Sequence, residues 1–284
     1  MASNNNAYIA GFVRAEDRDR YLTALFAPRP VRSDLLALYA FNAEIARIRG
    51  TVSEPIIGRM RLQWWRDIIA AIYDGGTVPQ GNPIVSSLAA CVARRRLSRT
   101  HFESLLSVRE RDFADEELQN LIRDSQELET YASGTSGGLQ ILAAEVLGAN
   151  SPPEITAANH VGIAWAMTGL ARAVLFHAAE QRIFITADRL AEAGITADTL
   201  SHAKNRHAVK SLVRAMVDTA RRHLTDARAL KVARAAVPAL LPATIADDYL
   251  KTLAQAEYDP GDIRVVRARP SIIRLMWNGM RGAY

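Results

Sequence analysis

Apolar residues recur at three- and four-residue spacing along almost the whole chain, and that period restricts it to helix packed on helix. Leu35, Leu36, Leu38, Tyr39, Phe41, Ile45 and Ile48 outline one such helix, which the pattern predicts to be N-capped by Ser33 and ended by Gly50. Ser151, followed by Pro152, Pro153 and Glu154, reads as a capping box with proline at the first helical position. Thr100 and Glu103 suggest a second box. The stretch DGGTVPQGNP, 74–83, reads as an exposed loop, and further breaks fall near Gly148, Gly194, Pro238 and Pro242. Strand-like runs are confined to Arg182–Thr186 and Ile263–Val266, too short and too isolated for a sheet. The expectation is an all-α, single-domain bundle over 1–284, with its core at about 18–255 and a less regular stretch from about 258.

Composition removes several function classes. Hydrophobic residues make up 49% of the 284 and charged ones 23%, the balance of a folded globular protein. One cysteine, Cys91, excludes an internal disulfide and an all-cysteine metal cage. The six histidines show no paired ligand spacing along the chain, so no metal site is expected. The N-terminal MASNNNAYIAGFVRAEDRDR has no basic segment leading into an apolar run, so no secretory signal is expected and the cytoplasmic side is the default. The most apolar segment, VGIAWAMTGLARAVLF at 161–176, is shorter than the ~20 residues a spanning helix needs and reads as a buried core helix. Net charge is +5, with arginine clusters at 94–99, 221–222 and 264–281. These suit a solvated face, an anionic surface or an acidic partner. Only 7% of residues are aromatic and no recognition motif is present, so nucleic acid is not an expected partner.

Two segments are shaped for chemistry that their residues do not supply. YAFNAEIARIRG, from Tyr39 to Gly50, resembles the Y-A-F-C-R-x-x-D-D-x-x-D helix of the squalene and phytoene synthase family, and the W-W-R of that family's next helix matches Trp64, Trp65 and Arg66. The second family motif, N-x-x-R-D-x-x-E-D, aligns with MTGLARAVLFHAAEQRIFIT, and YASGTSGGLQILAAEVLG is similar to a further family helix. The resemblance covers roughly residues 18 to 255. It implies a helical isoprenoid-synthase bundle around a central apolar cavity, in which carboxylates of two facing helices hold Mg²⁺ against a leaving diphosphate. Here the first set of aspartates falls on Ala46, Arg47 and Gly50. In the second motif the asparagine becomes Gly169 and the acids become Ala173, Phe176 and His177, while Arg172 is kept. Glu44 is no substitute, since two residues turn it about 160° around the helix from Ala46.

The wording AFNAEIARIR followed by SEPIIGRMRLQWWRDII resembles the branch of mitochondrial respiratory complex I assembly factors more than the synthases. That implies a non-catalytic assembly protein whose partner is a complex I subunit or intermediate, working at the inner face of the membrane, on the matrix side in a eukaryote. The alternatives are a prenyl transferase with displaced Mg²⁺ ligands and a carrier of isoprenoid diphosphates without turnover. No cofactor is expected unless the transferase reading holds.

Pocket candidates carried by the resemblance are Tyr39, Phe41, Asn42, Arg66, Ser136, Gly138, Thr168, Arg172 and His177. Several of these, and the tryptophans of the second helix, have a plainer reading. Trp64 and Trp65 are adjacent, which favours core packing for both. Arg66 and Arg172 suit either a phosphate or an acid such as Asp67 or Glu180, and His177 suits a hydrogen-bonded structural role. Gly134, Ser136 and Gly138 spell the G-x-S-x-G of a hydrolase elbow, but a helical pattern precedes them where that elbow needs a strand. The segment IIRLMWNGMRGAY either lays its apolar side into a lipid interface or folds back onto the bundle.

Overall fold

The computed structural model describes residues 2–113 and 122–284, and every regular element among them is helical. The first half contains α1 (Ala2–Glu16), α2 (Arg18–Ala24), α3 (Arg29–Thr51), α4 (Pro55–Asp74), α5 (Pro83–Arg95), α6 (Arg99–Arg109), α7 (Ser125–Ala132) and α8 (Gly138–Val146). The second half contains α9 (Pro152–Arg172), α10 (Val174–Ala179), α11 (Ala187–Glu192), α12 (Arg206–Arg228), α13 (Val237–Leu240), α14 (Pro242–Gln255), α15 (Ile263–Val266) and α16 (Ile272–Arg281).

Helix α3 is buried on nearly every side from Asp34 to Ala43, as a helix at the centre of a bundle must be. Its one buried acid, Asp34, accepts from Arg95 Nε at 2.7 Å and from Arg94, so part of the first arginine cluster ties α5 to α3 and is not a free basic face. Helix α12 shows the pattern expected at the rim: Val209, Leu212, Val213, Met216, Val217, Ala220 and Leu224 form its buried face, laid along α9. Between α7 and α8 the backbone makes one π turn, Ser133–Gly137. Gly162 of α9 sits so close to it that a Cβ there would lie 2.5 Å from Gly137 Cα and 2.5 Å from Ser136 O.

The capping box at Ser151 and Glu154 is formed, and the loop at 75–82 is irregular and mostly exposed. Three local expectations are corrected. Helix α3 begins four residues before Ser33, with Pro30 in its first turn, and runs through Gly50. Proline's fixed φ starts a helix as well as a hydroxyl does. Helix α6 is N-capped at Ser98, and Glu103 turns to Arg99 instead of closing a box with Thr100. Ile263–Val266 is a helical turn capped by Asp262, because its β-branched residues lie beside an N-cap and have no strand to pair with.

Candidate functional site: a cleft between α3 and α9

Helices α3 and α9 face each other across an open cleft of about 470 Å³, closed at its sides by α2, α6 and the π turn. Ala43, Ala46, Trp165, Ala166 and Leu170 form its apolar part; the remaining lining is mostly polar. The synthase-like positions on the two helices therefore do converge, as Ala46 and Arg47 opposite Gly169. Neither α3 nor α9 presents a carboxylate there: Glu44 pairs with Arg47 at 2.8 Å and lines a separate groove. The cleft's carboxylates, Glu16 and Asp17, come from the end of α1 and the start of α2, and Asp17 is taken by Arg20, so the two facing helices do not supply the oxygen ligands of a Mg²⁺ clamp.

Three arginines dominate the cleft. Arg20 is buried; its Nη1 reaches Asp17 Oδ2 at 2.8 Å, its Nη2 donates to Ser136 Oγ at 3.0 Å, and its guanidinium carbon lies 5.4 Å from the Trp165 ring. Arg109 Nη2 donates to Asn42 Oδ1 at 3.3 Å, and Arg47 stands over Phe12 at 5.3 Å. Among the described residues, Arg109, held by Asn42 alone, and Arg47, held by Glu44 alone, keep donors free for an anion, whereas Arg20 is shared between Asp17 and Ser136. Ser136 follows a helix and takes its hydrogen bond from a cation, which is no hydrolase elbow.

Of the residues proposed from the sequence, Asn42, Ser136, His177 and Ala46 line the cleft. Tyr39 and Phe41 do not: both are fully buried behind it, Phe41 edge-on to Trp65 and Phe102, and burial pushes the Tyr39 hydroxyl up to about 12. Arg66 is bound to Glu110 in a separate groove with Gln63 and Asp67, and so does not pair with Asp67. Arg172 stacks over Tyr249 at 3.7 Å and does not meet Glu180. Thr168 is buried and donates to Ala164 O at 2.7 Å; Gly138, Gly50 and Ala173 lie outside the cleft. Trp65 is core, but Trp64 is exposed over Arg61 and Thr51, correcting the expectation of core for both. Sequence reasoning missed Arg20, Asp17 and Arg109 as cleft residues, because each sits in an ordinary charged helical run.

His177 corrects another expectation. Its Nδ1 is buried and has no hydrogen-bond partner among the described residues, and burial, aided by Arg182, lowers its basicity to a pKa of about 4. An unfolded histidine binds its proton near pH 6.5, so stability is lost as pH falls from there towards 4, where the folded form also protonates. After discounting for partial exposure, urea unfolding at pH 7 and 4.5 should differ by about 1–2 kcal/mol more in the wild type than in H177Q. Equal pH slopes would remove this role.

The chain matches the squalene/phytoene synthase family model over residues 13–272. The NADH dehydrogenase (ubiquinone) complex I, assembly factor 6 of Bos taurus is 31% identical over 260 residues, 91% of this chain and 76% of that protein. The presqualene diphosphate synthase of Rhodopseudomonas palustris is 26% identical over 208 residues, 73% of this chain and 72% of that one. In fold, a dehydrosqualene synthase crystallised with ligand superposes with a TM-score of 0.81 at 17% identity, covering 99% of this chain and 96% of that one.

Proposed function

Because the chain belongs to the squalene/phytoene synthase family, we propose that it has given up that family's condensation chemistry and serves in the assembly of respiratory complex I (NADH:quinone oxidoreductase). The observation that carries this is the cleft itself, where Ala46, Arg47, Gly169 and His177 occupy the positions a metal clamp would need. Ionising a prenyl diphosphate requires its developing charge to be met, and arginines alone would replace a multi-metal cluster. The match to the Bos taurus assembly factor along most of both chains supports the alternative use of the fold. Deleting the gene in its host should lower assembled, active NADH:quinone oxidoreductase and leave squalene and phytoene-type products unchanged. The purified protein with Mg²⁺ should yield no product from farnesyl or geranylgeranyl diphosphate. Normal complex I in the deletion strain, or product in the assay, defeats the proposal.

The arginines favour a second, compatible reading, in which an isoprenoid diphosphate is held without turnover. In the same assay mixture farnesyl diphosphate would then bind, and Arg109→Ala would weaken it; equal binding by R109A removes this reading.

The work site would be the inner face of the membrane that carries the client. No helix among the described residues is long and apolar enough to cross a membrane. Helix α16 docks through Leu275 and through Asn278, which donates to Thr244, yet leaves Ile273, Met276, Trp277 and Met280 exposed. Arg274 is committed to Asp247 and Asp248, which leaves Arg267 and Arg269, exposed in the segment that leads into α16, to meet headgroup phosphates. Anionic vesicles should pull the protein down at low salt, and R267E/R269E should release it. Sedimentation unchanged by the double variant would rule the contact out.

A further inference from the structure

On the far side of α9 from the cleft, the bundle brings together side chains that are distant in sequence. His160 of α9 and His223 of α12 meet with their Nδ1 atoms 2.8 Å apart and their rings tilted by 44°. Asp226 lies three residues beyond His223, on the same face of α12. One ligand atom from each of the three falls within 4.8 Å of the others.

A second observation concerns the opposite nitrogen of His223. Its Nε2 lies 3.2 Å from Glu129 Oε2, and Glu129 is itself gripped by Arg222 Nη2 at 2.6 Å. A carboxylate paired to an arginine is an acceptor, so the proton of a neutral His223 sits on Nε2 and its Nδ1 lone pair points at His160. A histidine with a carboxylate behind it and its lone pair aimed at further donors has the arrangement usual in metal-bound imidazoles. His223 is buried, so its ring is held in this orientation between Glu129 and His160. Asp226 is exposed, which opens the group to solvent and leaves room for a water.

We propose that His160, His223 and Asp226 bind a divalent transition-metal ion, with Glu129 orienting His223 from behind. Two imidazole nitrogens and one carboxylate form a borderline donor set, suited to zinc, cobalt, nickel or copper and unsuited to magnesium or calcium. At zinc–nitrogen bonds of about 2.0–2.1 Å and tetrahedral angles, the two Nδ1 atoms stand about 3.3–3.4 Å apart. The rings must separate by about half an ångström, with the ion replacing the shared proton. The ion would clip α9 to α12, and through Glu129 to α7. The histidines lie 63 positions apart, so no spacing motif marks them.

The test uses the full chain, purified without a histidine tag and stripped with chelator, then titrated with Co²⁺ and Zn²⁺ by calorimetry and visible absorption. One equivalent of Co²⁺ should bind and give a d–d band that Zn²⁺ abolishes and Mg²⁺ leaves untouched. Zn²⁺ should raise the melting temperature of the wild type but not of H160Q. The exposed variant D226N should weaken binding at least about tenfold, and E129Q by about ten- to a hundredfold. D226N tests the site even if the histidine variants fold poorly. Absence of stoichiometric binding, unchanged affinity in both H160Q and D226N, or equal competition by Mg²⁺ would overturn the assignment.

Discussion

Phe41→Ala lowers the unfolding free energy by about 3–5 kcal/mol, a large share of the roughly 5–15 kcal/mol that holds a domain together. Phe41 has no exposed surface, and its ring centroid stands 5.0 Å from Trp65 and 5.4 Å from Phe102, edge-on to both. Alanine removes the ring and leaves a void that three helices, α3, α4 and α6, cannot close together. Trp65→Ala should cost a similar amount, whereas Trp64→Ala, on the exposed side of the same helix, should cost less than about half as much. Urea titrations of the three variants decide the matter. A loss below about 1 kcal/mol for F41A would mean that the ring does not serve as core.

Gly162→Ala is the second large loss, and its sign is the informative part. In an exposed helix interior this substitution gains up to about 1 kcal/mol of helix propensity. Here the new methyl would stand 2.5 Å from two backbone atoms of the π turn and 2.7 Å from Gly137 N. Backbone cannot rotate aside as a side chain can, so α9 must shift, at a net cost of about 2–3 kcal/mol. At roughly 2–4 °C per kcal/mol, the melting temperature falls by about 4–12 °C. The shift also displaces Trp165 and Gly169 across the cleft from Ser136. A melting temperature equal to or above the wild type would show that the two backbones are not in contact.

Much of this architecture was legible because helix packing writes itself into one dimension. The three- and four-residue rhythm placed α3 and α9, and the Ser151 box fixed where α9 starts. The YAFNAEIARIRG and MTGLARAVLFHAA frames identified the two helices that face each other. What the rhythm does not carry is which turn of a helix faces which neighbour. Tyr39 and Phe41 follow the same apolar pattern whether they line a cleft or stand behind it, and the difference is decided by α4 and α6 closing over Phe41. Trp64 and Trp65 differ only by a 100° step around α4. Arg20 and Arg109 were illegible for another reason: their cleft is assembled from elements spread between α1 and α10, and neither residue has a local signature. The same holds for His160 and His223, whose meeting depends wholly on how α9 lies along α12.

The π turn at Ser133–Gly137 amounts to one residue more than an α-helix would need over the same length. Upstream of it Tyr131 and within it Thr135 and Ser136 all look into the cleft, while downstream Leu139 and Leu142 look into the core. Regular α winding covers the same rise with about four residues where this turn uses five, so the widened loop of backbone absorbs the extra residue without rotating the helix that follows. Removing one residue here would leave Leu139 and Leu142 in their seats and take away only the widened backbone that brings Ser136 to Arg20. The segment is thus a place where the cleft wall can be reshaped by one residue while the core beyond it stays in register.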